Sequence, residues 1–371
     1  MQKSEMIYLD NAATAFVKPP SVKKAVLKAM NTMSSPGRGS YETAMRAAEE
    51  LYECRITAAE LFNAGGPENV VFTMNATHAL NIAIKSLAEP GCRAVISGFE
   101  HNSVLRPLTA AGARIDVAGR KLFDSENILA DFEKKLPGAD LAVCTHVSNV
   151  FGFILPIYEI AELCRKNSVP LIVDASQSAG ILEVDIKKLG AAFTAMPGHK
   201  GLFGPQGTGL LLCASEARPL MEGGTGSDSE SYHMPEYLPD RLEAGTQNVC
   251  GIAGLRAGMN FIKEQGIDAI AAREQELLEI MKCRLSSCGY ELFCGREQCP
   301  ILSLRHPELS PEELSERLSE RGVCTRAGLH CAPLAHERAG TLETGTLRLS
   351  FSPFLSAEDI NIAASLMDEI V

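Results

Sequence analysis

Seven short, almost wholly apolar runs punctuate the first two thirds of the chain, and they constrain its fold more than any other feature. They are Asn69–Met74, Arg93–Gly98, Ala113–Ala118, Asp140–His146, Pro170–Asp174, Ala191–Ala195 and Gly209–Ala214. Each is too short for a typical helix and lacks polar alternation, as expected of strands covered on both faces. Segments between them, such as Thr77–Ala88, Glu126–Leu136 and Ile157–Asn167, carry helical patterns long enough to cross over a sheet. The expectation is an α/β chain around a doubly wound, mostly parallel seven-stranded sheet. Pro19–Pro20 followed by Val22, Val26, Ala29, Met30 and Met33 reads as a preceding helix with proline in its first turn, and Tyr41–Asn63 as another.

After the Gly/Ser-rich stretch Glu222–Ser231 the rhythm changes. Asn248–Gln265 and Ala269–Ser287 read as long helices, followed by strands near Tyr290–Cys294 and Ile301–Arg305. A helix at Pro311–Arg321, a strand at Thr346–Ser352 and a final helix at Ala357–Ile370 complete the pattern. This predicts a large domain over residues 15–247 and a smaller α+β domain over residues 248–371, completed by residues 1–14. A chain of 371 residues can bury a core large enough to enclose a cleft between them.

Charge and cysteine usage narrow the function. With 46 acidic against 35 basic residues the net charge is −11, the wrong sign for a general nucleic-acid binder. No apolar run approaches the ~18 residues that span a bilayer. Met1–Asp10 lacks a basic-then-apolar signal pattern, so no membrane partner and a cytoplasmic location are expected. The twelve cysteines are scattered and none forms a Cys-x-x-Cys pair. They read as reduced thiols, mostly small buried apolar groups.

Three clusters fall where an open α/β sheet binds ligands, at the carboxyl ends of strands. Pro170-Leu-Ile-Val-Asp174-Ala-Ser-Gln177 ends an apolar strand in an acid, which either caps the next turn or faces a cationic ring nitrogen. Pro197-Gly-His199-Lys200-Gly201 places one lysine among glycines and apolar residues. It is either an ordinary surface turn or a desolvated amine fit for a Schiff base. Met74-Asn75-Ala76-Thr77-His78 opens a helix after a strand, where backbone amides attract phosphate unless Thr77 is simply an N-cap. Phosphate, ring acid and Schiff-base lysine together are the demands of pyridoxal phosphate, and no Gly-x-Gly-x-x-Gly or Walker-type loop competes.

With these clusters stand Tyr8-Leu-Asp-Asn-Ala-Ala-Thr14, Glu100-His101-Asn-Ser103, His146-Val-Ser-Asn149-Val-Phe-Gly152 and Glu243-Ala-Gly-Thr246-Gln-Asn248. In this order the motifs resemble cysteine desulfurases of the class V aminotransferase group, fold type I pyridoxal-phosphate enzymes. The resemblance implies that Lys200 forms the imine with pyridoxal 5'-phosphate and that Asp174 pairs with the ring nitrogen. It implies that His101 stacks on the ring, that Asn149 and Gln177 lie near its phenolic oxygen, and that Thr77, His78 and His199 lie near its phosphate. Thr246 is then supplied across a homodimer interface. Thr325-Arg326-Ala-Gly-Leu-His330-Cys331-Ala-Pro333 resembles the segment whose cysteine takes up sulfur, which makes Cys331 the nucleophile, with Arg326 or His330 as cations favouring its thiolate. A zinc reading of Cys324, His330, Cys331 and His336 lacks regular ligand pairs. Gly345-Thr-Leu-Arg348-Leu-Ser350 matches the strand whose arginine holds the substrate carboxylate, with Asn11 and Arg326 nearby.

The sequence departs from the family at Pro197, where relatives carry a phosphate-binding serine. It departs also at Leu329, which replaces a histidine, and at Ser35-Pro-Gly37-Arg38-Gly39, which lacks a preceding one. The implied reaction is conversion of L-cysteine to L-alanine with a persulfide on Cys331, its sulfur passed to an acceptor protein. The alternatives are a selenocysteine lyase acting on L-selenocysteine, a class V aminotransferase, and a cofactor-free sulfur or metal carrier on the same scaffold.

Overall fold

All seven apolar runs contain strands in the computed structural model, which describes residues 6–37 and 39–370. After a short first strand β1 (Ile7–Tyr8) come β2 (Val70–Thr73), β3 (Arg93–Ser97), β4 (Arg114–Ala118), β5 (Leu141–Thr145), β6 (Leu171–Asp174), β7 (Phe193–Pro197) and β8 (Gly209–Cys213). The last seven form one sheet in the order β2-β8-β7-β6-β5-β3-β4. Strands β3 to β7 pair in parallel, and β8 runs antiparallel to both neighbours. The exception has a local cause. β8 returns from β7 through the glycine-rich Gly198–Gly207 loop, with no crossover helix to reverse its direction.

Helices α1 (Pro20–Thr32), α2 (Glu42–Phe62), α3 (Ala76–Leu87), α4 (Asn102–Ala110), α5 (Ser125–Lys135), α6 (Ile157–Lys166) and α7 (Ile186–Leu189) connect or cover these strands. Alternate strand residues enter opposite layers, which explains runs with no polar face. Ala142, Cys144, Leu171 and Val173 pack with Phe62, Phe132 and Phe153 on one side. Leu141, Val143 and Ile172 pack with Leu80, Val104 and Leu108 on the other. The sequence pattern did not reveal α4, a short helix that holds Pro107 and is capped by the His101 ring.

The remainder comprises α8 (Val249–Gln265), α9 (Ile267–Leu285), β9 (Glu291–Phe293), β10 (Ile301–Arg305), α10 (Pro311–Glu320), β11 (Val323–Cys324), β12 (Arg326–Gly328), α11 (Pro333–Ala339), β13 (Thr346–Ser350) and α12 (Ala357–Asp368). An antiparallel sheet, β12-β13-β10-β9, packs Leu302, Leu304, Leu347 and Leu349 against Leu277 of α9 and Ile360 of α12. The chain start joins this part, since β1 pairs in parallel with β11 and Asp10 bridges to Ser350. The sequence-based boundary at 247/248 falls just before α8. The apolar residues Ile252, Leu255 and Met259 of that helix belong to the core of the large sheet.

A buried ion pair ties the large sheet to the segment before Thr246. Arg55 of α2 donates to both oxygens of Glu243 at 2.8 and 2.7 Å, and Phe72 N donates to the same carboxylate at 2.7 Å. The guanidinium also lies 4.2 Å from the centroid of the Phe72 ring. Removing one charge leaves the other desolvated and unpaired. Glu243→Gln is therefore expected to cost about 3–5 kcal/mol, read as a lowered urea midpoint. Breaking the exposed Arg317–Glu313 pair of α10 by Glu313→Gln is expected to cost under about 1 kcal/mol.

Candidate active site

The loops after β6 and β7 leave neighbouring parallel strands at the same sheet end, with Asp174 in register with Ala195. They are pressed together at two glycines. A Cβ on Gly201 would sit 2.4 Å from Ala179 O, and one on Gly180, whose φ is +86°, would sit 2.4 Å from Gly201 O. This close approach brings Asp174, Gln177, His199 and Lys200 into one cleft of about 520 Å³. Thr77, His101 and Asn149 complete the group of sequence-predicted residues on its wall.

Lys200 is packed beneath protein atoms and meets open space at the cleft. Burial brings its amine from 10.5 down to about 8, against the opposing pull of Asp174 and with Arg348 adding to the depression. Its amine has no hydrogen-bond partner among the described residues. Asp174 is 4% exposed, and one of its oxygens accepts from Ser176 N at 2.9 Å. Below it, the fully buried Glu100 accepts from Thr145 N at 2.8 Å and from the Ser97 hydroxyl, and burial raises its carboxyl to about 8. It is therefore mostly protonated at neutral pH.

At the opposite wall, Asn75 rather than Thr77 caps α3, accepting from His78 N at 2.9 Å. The cap leaves the first amides of the helix and the Thr77 hydroxyl at the cleft, a place for an anion. Ser103 Oγ bridges Thr77 Oγ1 at 2.8 Å and His101 Nδ1 at 2.9 Å, while Ser103 N donates to that same ring nitrogen. Burial lowers the His101 pKa, with Asp174 opposing, so the ring is neutral with its Nε2 carrying the proton. His199 is likewise lowered, to about 4, by burial and then by Lys200; its Nδ1 lies 3.1 Å from Thr14 Oγ1. Pro197 lines the cleft and offers no donor.

Some predicted residues lie elsewhere or are already engaged. The His78 ring does not line the cleft: its Nδ1 accepts from Met74 N at 3.3 Å and its Nε2 is buried without a partner among the described residues. Thr246 is exposed and lines a separate cavity with Ser35, Arg55 and Thr225. Gln177 donates its amide to Ala12 O at 3.1 Å, and Asn149 donates to His330 O at 2.8 Å. Asn11 donates to Tyr8 O and Ser350 O, both at 3.1 Å, and faces Lys200 across an adjoining cavity. Arg38 lies outside the described residues.

Asp10, given no role from sequence, organises the arginines. Its two oxygens accept from Arg348 Nη2 at 2.7 Å and Arg326 Nε at 2.9 Å, and Arg348 Nη1 donates to Asn149 O at 2.9 Å. Arg348 is 3% exposed, so the cluster of two guanidiniums and one carboxylate carries an excess positive charge beside the lysine. A second residue missed in sequence is Glu274 of α9. It is 3% exposed, has no hydrogen-bond partner among the described residues, is raised by burial to about 8, and faces the cavity shared by Asn11 and Lys200. Its position on an otherwise apolar helical stripe was the available signal.

Cys331 is one of three exposed cysteines, with Cys283 and Cys294, while seven others are buried. It and His330 both adopt left-handed backbone, with φ of 56° and 51°. Asn102 N donates to Cys331 O at 2.7 Å and Asn149 Nδ2 donates to His330 O at 2.8 Å, so the turn is tied to residues flanking the cleft. His330 does not supply the cation expected beside the thiol. Burial, and then Arg348, push it down to about 3, so it is neutral; the nearby charge is that of Arg326. No group of three or more potential metal ligands occurs among the described residues.

The arrangement suits amine chemistry on a carbonyl next to an anion site and an accessible thiol. Residues 7–362 match the Aminotransferase class-V family. A probable cysteine desulfurase of Pyrococcus abyssi is 33% identical, over 99% of this chain and 94% of the relative. One of Methanothermobacter thermautotrophicus is also 33% identical, over 98% and 94%. The apo structure of a cysteine desulfurase from Thermococcus onnurineus NA1 superposes with a TM-score of 0.91 at 31% identity, covering 99% of this chain and 94% of that one. The mostly parallel sheet with its α+β partner is the fold type I architecture that the sequence led us to expect. Since sequence and backbone agree along almost the full length, the chain belongs to the class-V aminotransferase family.

Proposed function

We propose that the protein is a pyridoxal-phosphate-dependent cysteine desulfurase that forms L-alanine and a persulfide on Cys331. The observation that carries this reading is the double tether of the Cys331 turn, to Asn149 in the wall of the Lys200 cleft and to Asn102 beside His101. It sets an exposed thiol at the rim of a cleft that holds a desolvated amine.

The cleft fits the cofactor on its own terms. An unpartnered lysine amine, a buried carboxylate with an oxygen to spare, and the helix amides that the Asn75 cap leaves free match an aldehyde, a ring nitrogen and a phosphate. Lys200 would hold the aldehyde, Asp174 the ring nitrogen, and Thr77 with the start of α3 the phosphate. Once bound, pyridoxal phosphate supplies a ring that spreads the electron pair released at the substrate α-carbon. The Arg348–Arg326–Asp10 cluster attracts the carboxylate of L-cysteine, with Asn11 beside it. Lys200 Nζ would move the α-proton, and the neutral His101 ring would help to hold the cofactor in the cleft. Cys331 Sγ attacks the substrate sulfur: the S–S bond forms and the C–S bond breaks. The carbon keeps the electron pair and takes a proton, the equivalent of the one lost by the Cys331 thiol, to give L-alanine. An exposed Cys331 can then pass its outer sulfur to an acceptor protein.

The exposure of Thr246 away from its own cleft supports a homodimer in which it serves the phosphate site of a second copy. Free thiols throughout the chain fit a cytoplasmic enzyme. No helix among the described residues is long and apolar enough to cross a membrane.

Incubation with L-cysteine or L-selenocysteine, with alanine as the readout, tests the proposal. Alanine forms from L-cysteine, and Lys200→Ala and Cys331→Ala each lower it by at least about 100-fold. Alanine from L-selenocysteine alone identifies a selenocysteine lyase, and Cys331-independent amino transfer to a keto acid identifies an aminotransferase; either overturns the reading. A second prediction follows from the desolvated amine. Only the neutral amine adds to an aldehyde, so the uptake rate of pyridoxal phosphate by stripped protein rises with pH to a half-point at about 8. An uptake rate that rises only near the ordinary 10.5 contradicts it.

A further inference from the structure

Two histidine rings beside Cys331 are joined in a chain whose direction can be worked out. His330 Nε2 lies 3.2 Å from Arg326 O, His330 Nδ1 lies 3.4 Å from His336 Nε2, and His336 Nδ1 lies 2.8 Å from Thr341 Oγ1. A carbonyl oxygen only accepts, so His330 Nε2 must carry a proton. The neutral ring then has a bare Nδ1, which must accept from His336 Nε2–H. His336 Nδ1 is bare in turn and accepts the Thr341 hydroxyl proton. The ring planes agree, being 11° apart with centroids 5.6 Å apart, as in rings joined edge to edge rather than stacked face to face. With both rings neutral every ring nitrogen is satisfied; a second proton on His330 would require His336 to turn to its Nδ1–H form and the Thr341 hydroxyl to accept from it and donate to His336 O instead, 3.5 Å away.

His336 touches neither the cleft nor solvent. It is fully buried on α11, with the Phe151 ring 5.7 Å away. The polar contact of its ring toward the reactive segment is His330. That segment holds two successive left-handed residues, His330 and Cys331, a conformation that side chains with a Cβ adopt only when held. Asn149 and Asn102 hold the two carbonyls from the side of the large sheet. The ring chain holds the His330 side chain from the other side, between β12 and the end of α11.

We propose that His336 is a positioning residue for the reactive thiol: its Nε2–H, oriented by Thr341, locks the His330 ring against Arg326 O and so fixes the strained turn that presents Cys331. The role rests on Cys331 being the sulfur acceptor proposed above. The groups facing the two rings are Arg348 and Arg326 on β13 and β12, the Arg326 backbone carbonyl, the Thr341 hydroxyl and backbone, and Phe151; the Thr341 backbone opposes the depression of His336. This polarity matches the depression of His330 to about 3 and of His336 to about 4, burial being the main cause in both.

The test is imidazole nitrogen NMR on the cofactor-loaded protein, together with steady-state kinetics. In the wild type both rings show the neutral Nε2–H form across about pH 5 to 8. His336→Leu removes the donor: His330 then gains a proton within that range, and kcat for alanine falls by about 100-fold, the scale of a displaced reacting group, with KM little changed. His336→Gln keeps a donor at the same place and restores most of kcat, and Thr341→Val gives an intermediate loss. An ordinary titration of His330 in the wild type, or an unchanged kcat in His336→Leu, overturns the proposal. If L-cysteine is no substrate, the functional reading fails, while the ring tautomers still decide the relay. Should His336→Leu not fold, the wild-type tautomers and His336→Gln decide it alone.

Discussion

Desolvation of a single amine is the constraint on which the site depends. Lys200 lies where the loops from β6 and β7 are pressed together at Gly180 and Gly201, so water is kept from its stem and its charge is costly. The neighbouring Asp174 opposes that cost without forming an ion pair with it, because its carboxylate turns to Ser176 N and to the cleft. Glu100, held uncharged beneath, avoids a second negative charge that would restore the proton to the lysine. An amine that is half neutral near pH 8 therefore shares one cleft with the Asp174 carboxyl.

The second dependency is between the ends of the chain. Asp10 accepts from Arg326 and Arg348 across sequence separations of 316 and 338 residues, and β1 pairs with β11. The segment from Ile7 to Asp10 therefore holds the arginines of the C-terminal sheet against the lysine loop. The excess positive charge of that cluster helps depress Lys200 and would attract an anionic substrate to the same spot. The Cys331 turn spans the same junction, its carbonyls held by residues of the large sheet.

Much of this was legible in the sequence, for identifiable reasons. The strands of the large sheet are buried on both faces, so their apolar runs stand out regardless of register. Asp174 and Lys200 were legible because each breaks an apolar context at a strand end. Helix α4 was not, because its nine residues contain Pro107 and begin with side chains committed to the site. Asp10 stood in a recognised motif, but its ion pairs span the chain and leave no local periodicity. His330 was misread as a cation: spacing shows that it neighbours Cys331, whereas its charge depends on burial that spacing does not carry. His336 was visible only as a candidate zinc ligand, since a ring-to-ring hydrogen bond requires a turn whose left-handed backbone cannot be read from Leu-His-Cys-Ala.

The central claim is that sulfur leaves its substrate at this cleft and lands on one thiol among twelve. Peptide mass spectrometry after brief exposure of the cofactor-loaded protein to L-cysteine tests it most directly. The account predicts the mass of one added sulfur atom on the peptide containing Cys331, removable by a thiol reductant and missing from Lys200→Ala. Sulfur on Cys283 or Cys294 instead, or on Cys331 irrespective of Lys200, would contradict it.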